Sequence, residues 1–259
     1  MIHSAFSVQG SPFYRVALIT GASRGIGAAT ARELARRGYA LALASRTVGP
    51  LEALAGELST AGYPALPIPT DVSRPDELRR LARLAREHFG HIDVLVNNAG
   101  IGGSALVASS TDENVDSQIA TNLLAPIVLT RLLLPDMLVR RHGALVFVGS
   151  VAGQIAVPGS VFYSTTKFGL RGFALGLRRE VARRGVGVSL VSPGFVDTAM
   201  AEEMCYIPKA RPETVARVIA DVIERPRREV FVPGYYRLFV WLDRLLPGLI
   251  DIVLRQRRL

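Results

Sequence analysis

Short apolar runs alternate along the chain with longer segments in which apolar residues recur every three or four positions. The runs are nearly continuous in Val, Leu, Ile and Ala, and they cover residues 15–20, 40–45, 64–69, 92–97, 144–149, 186–191 and 229–233. Continuous apolar runs are typical of parallel strands whose two faces are both covered by helices, whereas half-exposed strands alternate. The pattern therefore predicts a seven-stranded, mostly parallel β-sheet.

The segments between the runs have the spacing of amphipathic helices. They cover residues 25–37, 75–89, 112–139 and 162–184, and a further helix is predicted after Pro212. Pro75 and Pro212 suit the first turn of a helix, where the missing N–H costs nothing. Strands that alternate with helices predict a single doubly wound, Rossmann-like α/β domain over residues 15–234. Residues 1–14 would form an N-terminal extension, and residues 235–259 an amphipathic apolar C-terminal tail.

Composition narrows the class of protein. Of the 259 residues, 49% are hydrophobic and 20% charged, which is enough apolar material for a large core and excludes a disordered chain. The single cysteine, Cys205, excludes an intrachain disulfide and indicates a reducing compartment, so the cytoplasm is the predicted location. Residues 1–14 lack the basic and apolar regions of a signal peptide. No metal site is predicted.

The net charge is +9, and most of the excess is arginine. The arginines either form a solvated surface or bind an anionic partner, which would be a phosphate-bearing cofactor, an acidic carrier protein or an anionic membrane. Nucleic acid is not predicted as a partner, because the arginines are scattered and no nucleic-acid-binding motif accompanies them.

A glycine-rich turn follows the first predicted strand. Its sequence, TGASRGIG at residues 20–27, leads from a buried strand into a helix, whose N-terminal N–H groups and dipole can face a pyrophosphate. The glycines are spaced G-x-x-x-G-x-G, and an ordinary strand-to-helix turn is the competing interpretation. The cofactor-binding residues predicted here are Gly21, Ser23, Arg24, Gly25, Ile26 and Gly27.

The end of the second predicted strand distinguishes between two dinucleotides. Enzymes that use NAD usually carry an acidic residue there, which binds the adenosine ribose. In this chain the strand ends at Ala44-Ser45-Arg46, without a carboxylate. The guanidiniums of Arg24 and Arg46 suit the 2′-phosphate of NADP, unless both are simply solvated surface groups. The sequence therefore predicts NADP(H) as the cofactor, with Ser45 and Arg46 among its binding residues.

An ordered set of motifs from Arg15 to Thr198 resembles the classical short-chain dehydrogenase/reductase family. The motifs are the TGASRGIG turn, Asp71-Val72, Asn97-Asn98-Ala99-Gly100, Asn122, Ser150, Tyr163-Ser164-Thr165-Thr166-Lys167, and Pro193-Gly194 with Thr198. Each motif alone is weak, but the ordered set is specific. The resemblance covers roughly three-quarters of the chain.

The resemblance implies that several of these segments contact the cofactor. In chain order, Asp71 and Val72 would contact the adenine, Asn98, Ala99 and Gly100 would line the cleft, and Pro193, Gly194 and Thr198 would lie beside the nicotinamide. Val196, in the same segment, and Tyr163 and Lys167 complete the predicted cofactor-binding set, and Asn97 would stabilise the central sheet. The habit of the family implies a homodimer or homotetramer.

Ser150, Tyr163 and Lys167 have the chemistry needed to move a proton. Tyr163 and Lys167 are four residues apart and share one face of a helix, while Ser150 ends the fifth strand at the ligand-binding edge of the sheet. A free tyrosine has a pKa of about 10 and needs a nearby cation to act as a base at neutral pH. Lys167 is predicted to lower that pKa, and Tyr163 to act as general acid in reduction and general base in oxidation. Ser150 would orient the substrate oxygen, and Asn122 would hold a water that links Lys167 to solvent.

The predicted reaction is the NADP(H)-dependent interconversion of a carbonyl and a secondary alcohol by hydride transfer. The substrate is predicted to be apolar, such as a steroid, retinoid or acyl compound, because apolar residues are abundant in the segment 197–210 and near Ser150. These residues are Met200, Met204, Tyr206, Ile207, Val151, Ile155, Val157 and Phe162. Two alternatives stay open: a 3-oxoacyl-carrier-protein reductase of fatty-acid synthesis, and a non-catalytic NADP-binding scaffold or sensor.

The tail at residues 235–259 carries apolar residues at helical spacing. Pro247-Gly248 is predicted to break the helix, and Asp243, Arg244 and Asp251 argue against a transmembrane span. Three interpretations are open. The tail packs on its own domain or on a second subunit, it makes peripheral contact with a membrane surface through its apolar face and arginines, or it covers the substrate entrance.

Overall fold

The computed structural model describes residues 14–103, 105–197 and 209–255. Within these ranges the chain forms a seven-stranded, entirely parallel sheet in the order β3-β2-β1-β4-β5-β6-β7. The strands are β1 (Arg15–Thr20), β2 (Tyr39–Ser45), β3 (Ala65–Pro69), β4 (Val94–Asn97), β5 (Gly143–Val148), β6 (Val186–Pro193) and β7 (Glu229–Val232). The order reverses between β1 and β4, so a ligand crevice is expected at the carboxyl ends of these two strands.

Helices cover both faces of the sheet and confirm the predicted doubly wound α/β architecture. They are α1 (Gly25–Arg36), α2 (Val48–Thr60), α3 (Pro75–Phe89), α4 (Asp112–Ile119), α5 (Ala125–Arg140), α6 (Val161–Glu180), α7 (Pro212–Glu224), α8 (Tyr236–Leu245) and α9 (Pro247–Arg255). Helices α1, α2 and α7 pack on one face of the sheet, and α3, α5 and α6 pack on the other.

Neighbouring residues of a central strand point to opposite faces of the sheet, and both faces are buried. In β1, Ala17 and Ile19 belong to the core on one side, while Val16 and Leu18 belong to the core on the other. Helices shield the strand on both sides, which explains its continuous apolar sequence. Polar groups that meet a ligand therefore have room only beyond the ends of the strands.

Several predicted boundaries change in the structure. Helix α2 is not among the predicted helices, although its leucines have helical spacing. The helix predicted at residues 112–139 contains a π-helical turn, Ala120–Leu124, between α4 and α5. The predicted end of α6 at residue 184 is wrong, because the helix stops at Glu180.

The tail is broken where proline predicts it. Helix α8 ends at Leu245 and α9 begins at Pro247, which confirms the predicted break. The extension predicted at residues 1–14 lies outside the described residues except for Tyr14.

The helical segment Asp112–Arg140 is long and apolar enough to cross a membrane by length and composition. Its C-terminal half instead packs onto the sheet, since Leu129, Leu133 and Met137 are buried in the core shared with α3 and α6. Burial in the core of the domain therefore explains why this segment is apolar.

Candidate active site

The glycine turn lies at the point where the strand order reverses. It leaves β1 after Thr20 and enters α1 at Gly25. Gly21 has a φ of +66°, and a Cβ there would lie 2.8 Å from the Cα of Ala99. A Cβ on Gly27 would lie 2.1 Å from the carbonyl oxygen of Gly21. Only glycine allows this approach, which places the N-terminus of α1 directly beyond the ends of β1 and β4.

Asn98 braces the glycine turn from the neighbouring strand. Its side-chain nitrogen donates to the carbonyl oxygens of Thr20 at 2.9 Å and Gly21 at 3.1 Å. In return, the Thr20 hydroxyl accepts from the backbone N–H groups of Asn98 and Ala99, both at 3.1 Å. Asn98 thus holds the turn in place, a contact that its predicted position in the cleft did not reveal. Asn97 is buried and its side chain reaches the Thr130 hydroxyl at 3.5 Å, in line with a role in the central sheet.

The ends of β1 and β2 are joined by two serines. The Ser45 hydroxyl donates to the Ser23 hydroxyl at 2.8 Å. Arg24 and Arg46 follow these serines in sequence, so they emerge beside the same junction, and both are exposed. Neither arginine makes an ion pair or a side-chain hydrogen bond with any residue that the structure describes. Two guanidiniums are therefore available to an anion at this corner.

Asp71 and Val72 follow β3 at the same edge of the sheet. The Asp71 carboxylate accepts from the Ser73 N–H at 3.0 Å and from the Ser73 hydroxyl at 2.7 Å, which shapes the turn into α3. Val72 is buried against Leu78, with Ala99 packed on the same cluster. The structure thus brings these predicted adenine contacts close to the segment after β4.

Ser150, Tyr163 and Lys167 form one cluster beyond the end of β5. Ser150 directly precedes a 3₁₀ turn, Val151–Gly153, and its hydroxyl accepts from the Ala152 N–H at 3.1 Å. Tyr163 lies in the first turn of α6, close enough to the Ser150 hydroxyl for this group to act on its pKa. Lys167 is 4% exposed; its Nζ donates to the Val148 carbonyl at 3.0 Å and lies 5.7 Å from the centre of the Tyr163 ring.

Burial dominates the acid–base properties of this cluster. It lowers the pKa of Lys167 to about 8, because a buried ammonium loses its hydration. It also raises the pKa of Tyr163, a rise that the nearby Ser150 hydroxyl opposes. The Lys167 Nζ donates to Val148 and lies 5.7 Å from the centre of the Tyr163 ring, and its lowering of the Tyr163 pKa stays a prediction.

Asn122 lies in the π-helical turn and is fully buried. Its side-chain oxygen accepts from the Ile101 N–H at 2.8 Å, and its nitrogen donates to the Ile101 carbonyl at 2.9 Å and the Thr166 hydroxyl at 3.2 Å. A Cβ on Gly100 would lie 3.3 Å from the Asn122 oxygen and 3.7 Å from the Lys167 Nζ, so these groups surround one point. Asn122 joins the segment after β4 to helix α6, and its water-holding role stays a prediction.

The segment after β6 forms another wall of the site. The Gly194 N–H donates to the Val232 carbonyl at 2.9 Å, and Val196 is buried and pairs with Ala210. Pro193 is the last residue of β6. The predicted cofactor residue Thr198 lies outside the described residues, as do the predicted substrate residues Met200, Met204, Tyr206 and Ile207.

Two residues near the site are not among the site residues predicted from the sequence. Thr20 accepts two backbone hydrogen bonds from the segment after β4. Thr166 donates to the Tyr163 carbonyl at 2.7 Å while accepting from Asn122. Both lie inside recognised motifs, so their position was a signal, but their partners are set by the fold. Among the described residues, no group of three or more His, Cys, Asp or Glu side chains is placed to hold a metal.

Comparison with known proteins places this site in a family. Residues 15–205 match the family described as short chain dehydrogenase. The ketoacyl reductase HetN of Nostoc sp. (strain PCC 7120) is 37% identical over 253 residues, which cover 93% of this chain and 88% of that protein. The 3-oxoacyl-acyl-carrier-protein reductase FabG of Escherichia coli (strain K12) is 37% identical over 190 residues, covering 73% of this chain and 77% of that protein.

Solved structures lead to the same family. A metagenomic short-chain oxidoreductase in complex with NADP has a TM-score of 0.75 and 33% identity, covering 84% of this chain and 95% of that chain. An alcohol dehydrogenase from the archaeon Thermococcus sibiricus, complexed with 5-hydroxy-NADP, has a TM-score of 0.78 and 30% identity, with 84% and 95% covered. This chain belongs to the short-chain dehydrogenase/reductase family of oxidoreductases. The cofactors in both structures agree with the predicted dinucleotide.

Proposed function

We propose that the protein is a cytoplasmic NADP(H)-dependent oxidoreductase that interconverts a carbonyl and a secondary alcohol on an apolar substrate. The observation that carries the proposal is the single cluster of Ser150, Tyr163 and Lys167 beyond the end of β5. That cluster stands at the same edge of the sheet as the glycine turn at the N-terminus of α1. A proton-transferring group and a pyrophosphate-binding turn are the two parts that such a reaction needs.

NADP(H) fits the residues of this edge. The N-terminus of α1 would hold the pyrophosphate, and Arg24 and Arg46 would hold the 2′-phosphate. Both guanidiniums are exposed and unpaired among the described residues, and β2 ends without a carboxylate to bind an unphosphorylated ribose. When bound, the nicotinamide would supply or accept the hydride.

The protein residues manage the proton. During reduction the alkoxide formed from the carbonyl takes the phenolic proton of Tyr163, and during oxidation Tyr163 takes the hydroxyl proton. Ser150, which acts on the pKa of Tyr163 and so lies beside it, would donate to the substrate oxygen and orient it. With a pKa of about 8, Lys167 is mostly charged at neutral pH, and its charge favours the phenolate.

A second candidate is a 3-oxoacyl-carrier-protein reductase. Its support is the similarity to the ketoacyl reductases of Nostoc and Escherichia coli. The excess of arginine would suit an acidic carrier protein. Both candidates share the same proton chemistry and differ in what delivers the ketone.

We also propose that the protein forms a homodimer or homotetramer. Helices α4 and α5, with the turn between them, expose Ile119, Leu124 and Val139. These side chains offer apolar surface to a second copy. Light scattering at several protein concentrations measures the assembly.

The experiment that tests the proposed reaction is NADPH oxidation with a panel of ketones. The panel contains free apolar ketones, a water-soluble ketone and a 3-oxoacyl group carried on acyl carrier protein, with NADH measured side by side. Turnover of free apolar ketones with NADPH supports the main proposal. Turnover only of the carrier-linked ketone supports the second candidate, and cofactor binding without any turnover supports a scaffold or sensor.

A further inference from the structure

Helix α8 is attached to the wall of the candidate site that follows β6. The ring of Tyr236, in its first turn, lies directly on the Gly194 turn: a Cβ built on Gly194 would be 2.0 Å from a ring carbon of Tyr236. No larger residue fits at position 194 while this ring stays in place. The start of α8 is therefore seated beside the turn expected to contact the nicotinamide.

The other end of α8 is attached to the loop that follows Ser150. Arg244 donates to the side-chain oxygen of Gln154 at 2.9 Å. Gln154 is buried and donates to Glu229 at 2.6 Å, and Glu229 also accepts from Ser192 at 2.9 Å. Arg171 of α6 completes the network with a contact of 3.1 Å to Glu229. Helix α8 thus joins two walls of the site, one after β5 and one after β6.

The outward side of α8 is apolar, the reverse of an ordinary surface helix. Leu238, Trp241 and Leu245 recur at helical spacing and are 62%, 56% and 67% exposed. Helix α9 and the residue before it extend this surface with Leu246, Leu249 and Ile252, all exposed. These six residues are called the apolar face of α8–α9. A cluster of exposed apolar side chains of this kind marks a binding surface.

The charges around the apolar face are unevenly placed. Arg237 and Arg244 stand four residues before and three residues after Trp241, so both lie on its side of the helix, and both are exposed. Asp243 is two residues from Trp241, so it lies on the opposite side of the helix, where it is half-buried. The partner that complements this surface is apolar in its interior and anionic at its edge.

We propose that the apolar face of α8–α9 docks on an anionic phospholipid bilayer. Aliphatic side chains and a tryptophan would enter the interface, and Arg237 would meet the headgroup phosphates, while Arg244, held by Gln154, would lie at the edge of the contact. A second copy of this chain complements the face less well, because it would bring the same exposed arginines, Arg237 and Arg244, to the contact.

Docking on a bilayer has a consequence for the substrate. Because α8 joins the Gly194 turn to the loop after Ser150, docking brings this side of the site to the lipid surface. We infer that the substrate is a carbonyl compound or alcohol dissolved in the membrane. This last inference rests on the proposed function, whereas the docking does not.

The test is vesicle sedimentation with the full-length protein, without cofactor or substrate. Vesicles of phosphatidylcholine alone are compared with vesicles of phosphatidylcholine and phosphatidylglycerol. We expect binding to the anionic vesicles that weakens with salt. The triple variant Leu238→Ser, Trp241→Ser, Leu245→Ser should lose about a hundredfold in partitioning, and Arg237→Glu about tenfold.

Matched controls distinguish binding through the apolar face of α8–α9 from non-specific apolar or electrostatic binding to vesicles. Val48→Ser removes another exposed apolar residue, on α2, and Arg79→Glu reverses an exposed charge on α3. Val48→Ser should bind vesicles like the parent protein, and Arg79→Glu should weaken binding less than Arg237→Glu. Equal losses in control and test variants overturn the proposal. So does a triple variant that changes the oligomeric state while the parent protein ignores vesicles, because the face would then bind a second copy.

The substrate inference has its own readout. A long-chain ketone embedded in anionic vesicles and a water-soluble ketone are each reduced by the parent protein and by the triple variant. We expect the variant to lose turnover of the embedded ketone about tenfold or more relative to the soluble one. Equal losses overturn the inference on the substrate. Vesicle binding without activity on either ketone would leave the docking supported and would count against the proposed function.

Discussion

The carboxyl edge of the sheet and the apolar face of α8–α9 differ in which side chains are buried. The sheet edge buries polar side chains, whereas the apolar face exposes large apolar side chains to solvent. At the sheet edge, the buried side chains of Asn122 and Lys167 have their partners within the protein: Asn122 binds Ile101 and Thr166, and Lys167 binds the Val148 carbonyl. On the apolar face, large aliphatic and aromatic side chains stand in solvent, attached to the domain through Tyr236 and Arg244.

The two regions therefore differ in where their interactions come from. The sheet edge makes its hydrogen bonds within the folded chain, whereas the apolar face can be covered only by a partner. A buried polar group without a partner costs stability, so an internally satisfied site folds ready for its ligand. An exposed apolar patch contributes nothing to folding until something covers it. Substitutions at the sheet edge should therefore change chemistry or stability, and those on the apolar face should change docking.

Tyr163→Phe is expected to have the largest effect. Loss of the phenolic proton should lower NADPH-dependent ketone turnover by about a thousandfold or more, while NADPH binding, measured by fluorescence titration, is kept. Tyr63→Phe, which removes a hydroxyl from a loop far from the site, is the control and should behave like the parent protein. Turnover retained by Tyr163→Phe would remove this residue from the proton step.

Truncation of leucines compares the two regions in stability. Leu95 is fully buried in β4, and its change to alanine should lower the free energy of unfolding by about 2–5 kcal/mol. Leu245→Ala, on the exposed face, should change it by no more than about 0.5 kcal/mol. Urea denaturation measures both. A large loss at Leu245 would show that the face is packed inside the folded protein, contrary to the comparison.

Arg46→Asp tests an exposed cation at the sheet edge. It should weaken NADPH binding about a hundredfold more than NADH binding, because a carboxylate would face the 2′-phosphate. Arg79→Asp, elsewhere on the surface, should affect the two cofactors equally. Fluorescence titration with each dinucleotide gives the ratio of the two dissociation constants. An equal change in both for Arg46→Asp would show that Arg46 does not bind the 2′-phosphate.

The buried cation Lys167 should show itself in the pH dependence of stability. Its pKa is about 8 in the folded protein against 10.5 in the unfolded chain. Between these values the unfolded chain binds the proton more tightly, so this group makes the folded state more stable as pH rises. From about pH 8 to about pH 10, the parent protein should gain about 2 kcal/mol relative to Lys167→Met in urea denaturation. Parallel pH profiles would place Lys167 in a hydrated environment.

Much of the site is predictable because it depends on local patterns. The continuous strands, the glycine turn and the four-residue spacing of Tyr163 and Lys167 require only neighbours in sequence. The brace from Asn98 to Thr20 spans 78 residues and the contact from Asn122 to Thr166 spans 44. No local pattern encodes such pairs. For the same reason no local pattern shows the burial that raises the pKa of Tyr163, because burial depends on how the whole sheet edge packs.

The sequence by itself determined the doubly wound sheet, the family, the dinucleotide turn and the helical face that carries Tyr163 and Lys167, because periodicity and spacing act through nearby residues. Only the tertiary structure decided where the apolar tail goes. Its helical spacing is the same whether it packs inward, pairs with a copy or docks on lipid. The contacts of Tyr236 with Gly194 and of Arg244 with Gln154 seat α8 beside the site and turn its leucines and tryptophan outward. Contacts between residues distant in sequence make that choice, since they set which face of a helix the core excludes from water.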